Sequence, residues 1–423
     1  MKNEKRGDWF NEAKLGMFIH FGIYSLLGRG EQVLYREHLS HSEYRNLADK
    51  FTAPRFNADE WVRIAKDCGM RYMVMTAKHC DGFCLFDTST TDYNSMKKAA
   101  KKDFIHEYVK AARKAGIRIG IYYSPMDWND PAYFRGPEKD TEGFSKFIRK
   151  VHEQIRELCT NYGKIDEFWF DGDMHMWDKN SYPGSPAIWQ SQKILKMVRK
   201  LQPGALVNER LGIPADIQTS ERHIGKKTGK EFSETCMVSQ HRWWGYMKGD
   251  RNWHSAKEII EQLCFAAAGQ SNYLLNVGPM GNGRMPSRFI KLTKEIGRWM
   301  KTHGDAIYGA EANPGLETQT YGSVTCKGNK LFIHILYWPE KIMHLPGIKN
   351  NIITAKIVST GRKLKAINND GHIIISGFPV NPPDKMMPVI ELELDGKPRL
   401  TGWAKMHLWT AKNKSSLANW VKK

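Results

Sequence analysis

The chain is 423 residues long and contains no run of 18 apolar residues, so no membrane-spanning helix is expected. It has no CxxC motif. Its seven cysteines, Cys68, Cys80, Cys84, Cys159, Cys236, Cys264 and Cys326, are odd in number and scattered. Cys80 and Cys84 lie close together, yet no second pair completes a zinc site, and the pattern reads as buried thiols rather than a disulfide framework. No GxGxxG follows the first strand-like run, which argues against a dinucleotide-binding domain. No nucleic-acid-binding module is recognisable. The opening residues, MKNEKRGDWFNEAK, lack an apolar signal-peptide core. The expectation is therefore a cytoplasmic protein, or a periplasmic or secreted one whose signal peptide was removed.

Acid is the scarce charge. Lys and Arg number 64 against 45 Asp and Glu, a formal balance of +19. Such a balance raises nucleic acid, an anionic membrane or an acidic substrate as partners. The basic residues are spread along the chain, with dense clusters only at KKAAKKD (97–103) and GKKTGK (225–230). A solvated basic surface accounts for these as well as an acidic partner does.

What is present is alternation. KLGMFIHFG (14–22), RYMVMTAKHCDGF (71–83), RIGIYYSPMDW (118–128), EFWFDGD (167–173) and ALVNER (205–210) read as strands. ADEWVRIAKDCGM (58–70), DFIHEYVKAARKAGI (103–117), FSKFIRKVHEQIRELCTNYG (144–163) and SQKILKMVRKLQPG (191–204) carry apolar residues at helical spacing between them. A βαβα order argues for a parallel sheet with outer helices, and the number of strands points to a (β/α) barrel. After about residue 310 the texture changes to short strands separated by KGNK and NNDG turns, which reads as an antiparallel β-sandwich. The expected domains are a barrel over 1–310 and a β-sandwich over 311–423, ending in the basic, aromatic RLTGWAKMHLWTAKNKSSLANWVKK.

In a barrel, functional groups gather at the C-terminal ends of the strands. Those ends here carry His20, Lys78-His79-Cys80-Asp81, Tyr122-Tyr123, Asp171 and Glu209-Arg210. Asp171 follows the apolar run Phe168-Trp169-Phe170. A carboxylate beside aromatic walls suits a sugar site, where rings stack on the sugar and the carboxylate attacks or stabilises the anomeric carbon. A second carboxylic acid must protonate the leaving oxygen. Glu31, Asp81, Asp173, Glu209 and Glu221 are all candidates, and the residues alone do not choose among them.

Eight stretches resemble the family 29 glycoside hydrolases, the α-L-fucosidases. They are WFNEAKLGMFIHFGIYS (9–25), GEQVLYREHLSHSEYRNLADKF (30–51), MVMTAKHCDGFCLFDT (73–88), GIYYSPMDW (120–128), EFWFDG (167–172), VNERLGIPADIQTSE (207–221), NYLLNVGPMGNGRMP (272–286) and IGRWMKTHGDAIYG (296–309). The resemblance implies an irregular (β/α)8-like TIM barrel followed by a C-terminal antiparallel β-sandwich. It implies a retaining exo-glycosidase acting on terminal α-L-fucosyl or related residues of oligo- or polysaccharides, with no cofactor and no metal. It makes Asp171 the nucleophile and Glu221 the acid/base. His20, Glu31, His79, Tyr123, Trp169, Arg210 and Trp244 would bind the sugar. Two positions depart from the family pattern: Gln32 stands where a tryptophan is usual, and Cys80 where a second histidine is usual. Both would line the sugar pocket, so the resemblance extends to a decorated sugar such as sulfated fucose, or to α-L-galactose. A carbohydrate-binding protein without turnover is the rival class.

Overall fold

The computed structural model describes residues 6–172, 186–229, 231–316 and 321–401. Asp173 and the aromatic tail from residue 402 onward lie outside the described residues. The chain divides into two compact units, Met1–Ser255 with Asn272–Gly297, and Ala256–Ser271 with Arg298–Lys423.

The first unit is built on eight strands: β1 (Leu15–Ile19), β2 (Tyr72–Lys78), β3 (Arg118–Tyr123), β4 (Glu167–Phe170), β5 (Leu206–Val207), β6 (Ile217–Glu221), β7 (Phe232–Val238) and β8 (Ser271–Val277). They lie side by side in the order β5-β4-β3-β2-β1-β8-β7-β6. Neighbouring strands pair in parallel, with Phe18 of β1 opposite Val74 of β2 and Asn276 of β8. Closure between β5 and β6 rests on a single parallel bridge, Asn208 to Ile217, and on Asp216 N–H donating to the Val207 carbonyl at 2.8 Å. A two-residue β5 is too short to pair further, so this side of the barrel is its irregular side.

Alternation along each strand sends every second side chain into the barrel. Phe18, Tyr72, Val74, Tyr122, Trp169, Leu206, Ile217, Cys236 and Leu274 fill the interior, joined by Trp9, Phe10 and Ala13 from the chain just before β1. Gly16 makes room for this filling, because a Cβ there would sit 2.5 Å from the Tyr72 ring.

The outer helices stop and start where side chains cap them. Asn57 accepts the Glu60 N–H at 2.9 Å to begin the helix Ala58–Cys68, and Gly69 ends it with φ 90°. Asp103 accepts the His106 N–H at 2.8 Å to begin Phe104–Ala115. Among the described residues, no helix is long and apolar enough to cross a membrane.

Among its described residues, the second unit holds the helix Ala256–Ala268 and seven strands: β9 (Gly322–Lys327), β10 (Lys330–Ile335), β11 (Ile342–Pro346), β12 (Ile352–Ile357), β13 (Lys365–Asn369), β14 (His372–Ser376) and β15 (Val389–Leu394). They form a four-stranded sheet, β12-β15-β10-β9, and a three-stranded sheet, β11-β14-β13, both antiparallel. Val324, Leu331, Ile333 and Leu392 of one sheet pack with Met343, Leu345, Ile373 and Ile375 of the other in a single core. The NNDG turn between β13 and β14 has Asp370 at φ 50° and Gly371 at φ 87°, the backbone that a two-residue hairpin needs.

Candidate active site

The strand ends of the barrel surround a cavity of about 170 Å³. Its walls include Phe18, His20, Glu31, Gln32, His79, Cys80, Trp169, Asp171, Arg210, Glu221 and Trp244. Of the sequence-named site residues, the structure gathers all but Tyr123. A larger hollow of about 590 Å³ lies elsewhere, against Phe144, Ile148, His152 and Met197, and Glu153 is the one carboxylate on its described wall.

Asp171 leaves β4 inward. Its Oδ2 accepts the Tyr122 hydroxyl at 2.7 Å, and its Oδ1 accepts Arg210 Nη1 at 3.2 Å. Arg210 stands at the centre of the site. Its Nη2 donates to Glu221 Oε2 at 2.9 Å and its Nε to Thr219 Oγ1 at 3.0 Å, while its guanidinium lies 5.0 Å from the centre of the Trp169 ring. One planar cation thus holds both carboxylates and rests on an aromatic wall, which suits the fork geometry of arginine. Asp171 sits deeper, with 24% of its side chain exposed against 37% for Glu221.

The opposite wall is made of neutral imidazoles. His20 is buried, and burial followed by the nearby His79 holds its pKa well below the usual histidine range. Asn276 fixes its tautomer. The Asn276 amide nitrogen donates to the Trp244 carbonyl at 2.7 Å, so its oxygen faces His20 Nδ1, also at 2.7 Å. His20 Nδ1 must therefore be the donor, which leaves Nε2 as an acceptor for a hydroxyl. Burial, and then Lys78, push His79 down to about 3. Its ring stacks on Tyr122 at 5.5 Å, and its Nδ1 lies 3.0 Å from Cys80 Sγ. Burial and then Asp81 push the Cys80 thiol pKa up, so sulfur sits here as the neutral thiol.

Glu31 is 2% exposed, and its Oε2 accepts the backbone N–H groups of Trp244 at 3.1 Å and Gly245 at 2.8 Å. Burial raises its pKa, against the pull of those two bonds. The contact requires glycine at 245, since a Cβ there would lie 2.8 Å from the Glu31 nitrogen. Glu31 thereby fixes the loop that carries Trp244, whose ring lies 5.3 Å from His20.

Two other acid candidates face away from this work. Asp81 is buried and accepts the Tyr44 hydroxyl at 2.8 Å. Glu209 Oε1 accepts the Thr219 N–H at 2.8 Å and its hydroxyl at 3.0 Å, bracing β6 from outside the cavity wall.

Tyr123 calls for a correction. Its hydroxyl donates to Gln154 Oε1 at 2.7 Å, in the helix Thr141–Thr160, and Lys78 Nζ lies over its ring at 4.7 Å. Adjacent residues of a strand point to opposite faces, so Tyr123 points away from the cavity and Tyr122 into it. The alternation Gly120, Tyr122 was the available signal. Glu234 on β7 was also missed. It is wholly buried and accepts the Tyr72 hydroxyl at 2.6 Å and the Trp169 indole N–H at 2.9 Å. It therefore fixes the ring on which Arg210 rests.

A barrel mouth with two carboxylates on one arginine, neutral imidazoles and aromatic walls is the site of a glycoside hydrolase. Residues 1–305 match the Alpha-L-fucosidase family, and the chain belongs to it. Tissue alpha-L-fucosidase of Mus musculus is 28% identical over 389 residues, covering 84% of this chain and 83% of that one. Alpha-L-fucosidase isoenzyme 1 from Paenibacillus thiaminolyticus superposes with a TM-score of 0.84 at 32% identity, over 92% of this chain and 99% of that one. An alpha-L-fucosidase from Bacteroides thetaiotaomicron, trapped as a covalent intermediate with 2-fluoro-fucosyl fluoride, superposes at 0.83 with 26% identity, over 93% and 97% of the two chains.

Proposed function

We propose that this chain is a retaining exo-α-L-fucosidase in which Asp171 is the nucleophile and Glu221 the acid/base. The observation that carries the assignment is the shared guanidinium of Arg210, which joins a deep carboxylate to a more exposed one across the cavity. Asp171 attacks the anomeric carbon while Glu221 gives its proton to the leaving oxygen, so the glycosidic bond breaks as the aspartyl ester forms. Glu221 then takes a proton from water as the water oxygen displaces Asp171 from the same carbon. Two inversions leave the configuration unchanged. The greater exposure of Glu221 suits a group that must meet water in the second step.

His20 accepts a sugar hydroxyl through Nε2, while Trp169 and Trp244 supply apolar walls for the sugar's C–H faces. The chemistry draws on side chains alone and asks for no cofactor. We assign catalysis to residues 1–310, and read 311–423 as an accessory β-sandwich. The substrate we favour is an anionic oligo- or polysaccharide, on the strength of the +19 charge balance.

The test is hydrolysis of 4-nitrophenyl α-L-fucoside followed by proton NMR. The first sugar released should be the α-anomer, before mutarotation mixes the two. Release of the β-anomer first would replace the double displacement with direct attack by water. Glu221→Ala should slow alkyl fucosides by about 100-fold while sparing good aryl leaving groups, because only poor leaving groups need the proton. Equal loss on both substrates would move the acid role to another carboxylate.

A further inference from the structure

Among the described residues, one cation beside the cavity makes no direct ion pair. Gln32 and Arg36 lie four residues apart, at the start and end of the short helix Val33–Arg36, so their side chains share a face. Gln32 Oε1 accepts Arg36 Nε at 3.0 Å. The guanidinium carbon lies 4.7 Å from the centre of the Trp243 ring. Arg36 is thus held at two points, by one hydrogen bond and one aromatic face. The carboxylates nearest in sequence are committed elsewhere. Glu31 Oε2 takes the backbone of Trp244 and Gly245, and Glu37 pairs with Arg29 Nε at 2.8 Å. Among the described residues Arg36 has no ion-pair partner, and the N–H groups on Nη1 and Nη2 make no hydrogen bond.

Restraining a long side chain costs rotamer entropy, which an ordinary exposed arginine avoids by moving freely in water. Here the restraint leaves the two-pronged edge of the guanidinium open, the edge that matches an oxyanion bidentately. Gln32, which does the holding, is itself part of the cavity wall. Arg36 also acts on the buried Glu31 carboxylate, drawing its pKa down against burial. A tryptophan at position 32 would have an indole N–H but no acceptor to offer Arg36.

We propose that Gln32, Arg36 and Trp243 form an oxyanion subsite beside the fucosyl cavity, which selects substrates bearing a sulfate ester or carboxylate on the fucosyl residue or its neighbour. The proposal rests on the fucosidase reading for its sugar and on Arg36 for its charge. Gln32 aims the guanidinium, Trp243 carries its face, and the open Nη edge binds the anion.

The experiment compares kcat/KM at low salt for 4-nitrophenyl α-L-fucoside with its 2-, 3- and 4-O-monosulfates, and for α-L-fucosyl-glucuronate with α-L-fucosyl-glucose. The first set reads an ester on the sugar and the second a carboxylate on its neighbour. One anionic substrate should exceed its neutral partner, and the excess should shrink as salt is added. In Arg36→Met that charged-to-neutral ratio should fall by about 10-fold or more, the scale of a hydrogen bond to a charged group. In Arg36→Lys it should fall by less. An Arg36→Met variant that loses activity equally on both partners, or a wild type that favours the neutral substrate throughout, overturns the subsite. Calorimetric binding of L-fucose and its 2-, 3- and 4-sulfates separates this from the fucosidase reading. Tighter, Arg36-dependent binding of a sulfate by a chain that turns over no fucoside would keep the subsite and sink the fucosidase reading. Equal binding of all four by an active enzyme that also turns over α-L-fucosyl-glucuronate no faster than α-L-fucosyl-glucose would do the reverse.

Discussion

The two units solve the problem of a core in opposite ways. Between the sheets of the second unit the core is apolar throughout: Val324, Leu331, Ile333, Leu345, Ile373, Ile375 and Leu392 are all at most 1% exposed. Inside the barrel the same degree of burial falls on ionisable groups as well. Glu234 and Glu167 are 0% exposed, Asp81 1%, Glu31 2% and His20 3%. Burial of apolar surface stabilises, whereas burial of an ionisable group costs free energy unless it is paired or neutralised. The barrel meets that cost in three ways. Glu31 takes two backbone N–H groups, His20 and His79 lose their charge, and Glu234 takes a phenol and an indole N–H. Within the barrel, polar burial gathers at the site and at what holds it in place; the second unit buries polar groups too, such as His334 bonded to Thr325, but not in the core between its sheets.

The largest break in the comparison should come from Asp171→Asn. It swaps one oxygen for nitrogen in a group that already bonds Tyr122 and Arg210, so the fold should keep its melting temperature within a few degrees. Turnover of 4-nitrophenyl α-L-fucoside should fall on the order of 10⁴-fold, the scale of losing a nucleophile. A variant within tenfold of wild type would remove Asp171 from the chemistry.

The second unit should show the reverse profile. Ile333→Ala deletes three buried carbons from a fully apolar core and should cost about 2–5 kcal/mol in urea unfolding. KM for 4-nitrophenyl α-L-fucoside, measured on protein that remains folded, should hold. A change in KM without a change in stability would contradict the separation of roles.

Legibility followed the same division. β1 to β4 are strongly apolar runs that end on polar groups, and both their strand character and their cargo were readable. β6 and β7 were not read as strands. Ile217–Glu221 has a single apolar residue, and Phe232–Val238 carries Ser233 and Glu234 in its middle. A strand lining a polar interior loses the pattern that announces strands. Asp171 at its aromatic strand end was legible as a sugar-site carboxylate, whereas the choice of Glu221 as its partner came from the resemblance, because the residues alone left five acids open for that role. Tyr122 and Tyr123 are adjacent and identical in composition, and only the strand's two-residue period separates the one that faces the cavity from the one that does not. The sandwich strands were legible because short apolar runs between KGNK and NNDG turns state both element and connection. Asn276, which fixes the His20 tautomer, sits in a stretch quoted only for its resemblance. Nothing in one sequence says that its amide oxygen faces an imidazole.

The smallest effect, and the sharpest test of polar burial, concerns Glu234. Burial raises its pKa from 4.5 to about 7, against the lowering pull of its bonds from Tyr72 and Trp169 and with a further rise from Glu209. Glu167, buried beside it with no hydrogen-bond partner for either oxygen among the described residues, is raised by burial and by Glu234 itself. The folded protein therefore binds a proton at Glu234 more tightly than the unfolded chain does. The stability this contributes is fully present below about pH 4.5 and is lost as pH rises through about 7. Glu234→Gln cannot titrate, yet its amide oxygen still accepts the Trp169 N–H and its amide nitrogen can donate to the Tyr72 oxygen. Thermal melts of the two proteins between pH 5 and 8 should show the melting temperature of wild type falling relative to the variant as pH rises. Subtracting the variant cancels Asp81 and Glu31, which also titrate. A difference that stays flat across this range would mean that Glu234 keeps one protonation state throughout. Glu234→Leu completes the test, since it leaves the Trp169 N–H without an acceptor. If Glu234 works by holding Trp169 under Arg210, kcat should drop in the leucine variant and recover in the glutamine one. Equal loss in both would mean that the charge of Glu234, and not its hold on Trp169, is what the site uses.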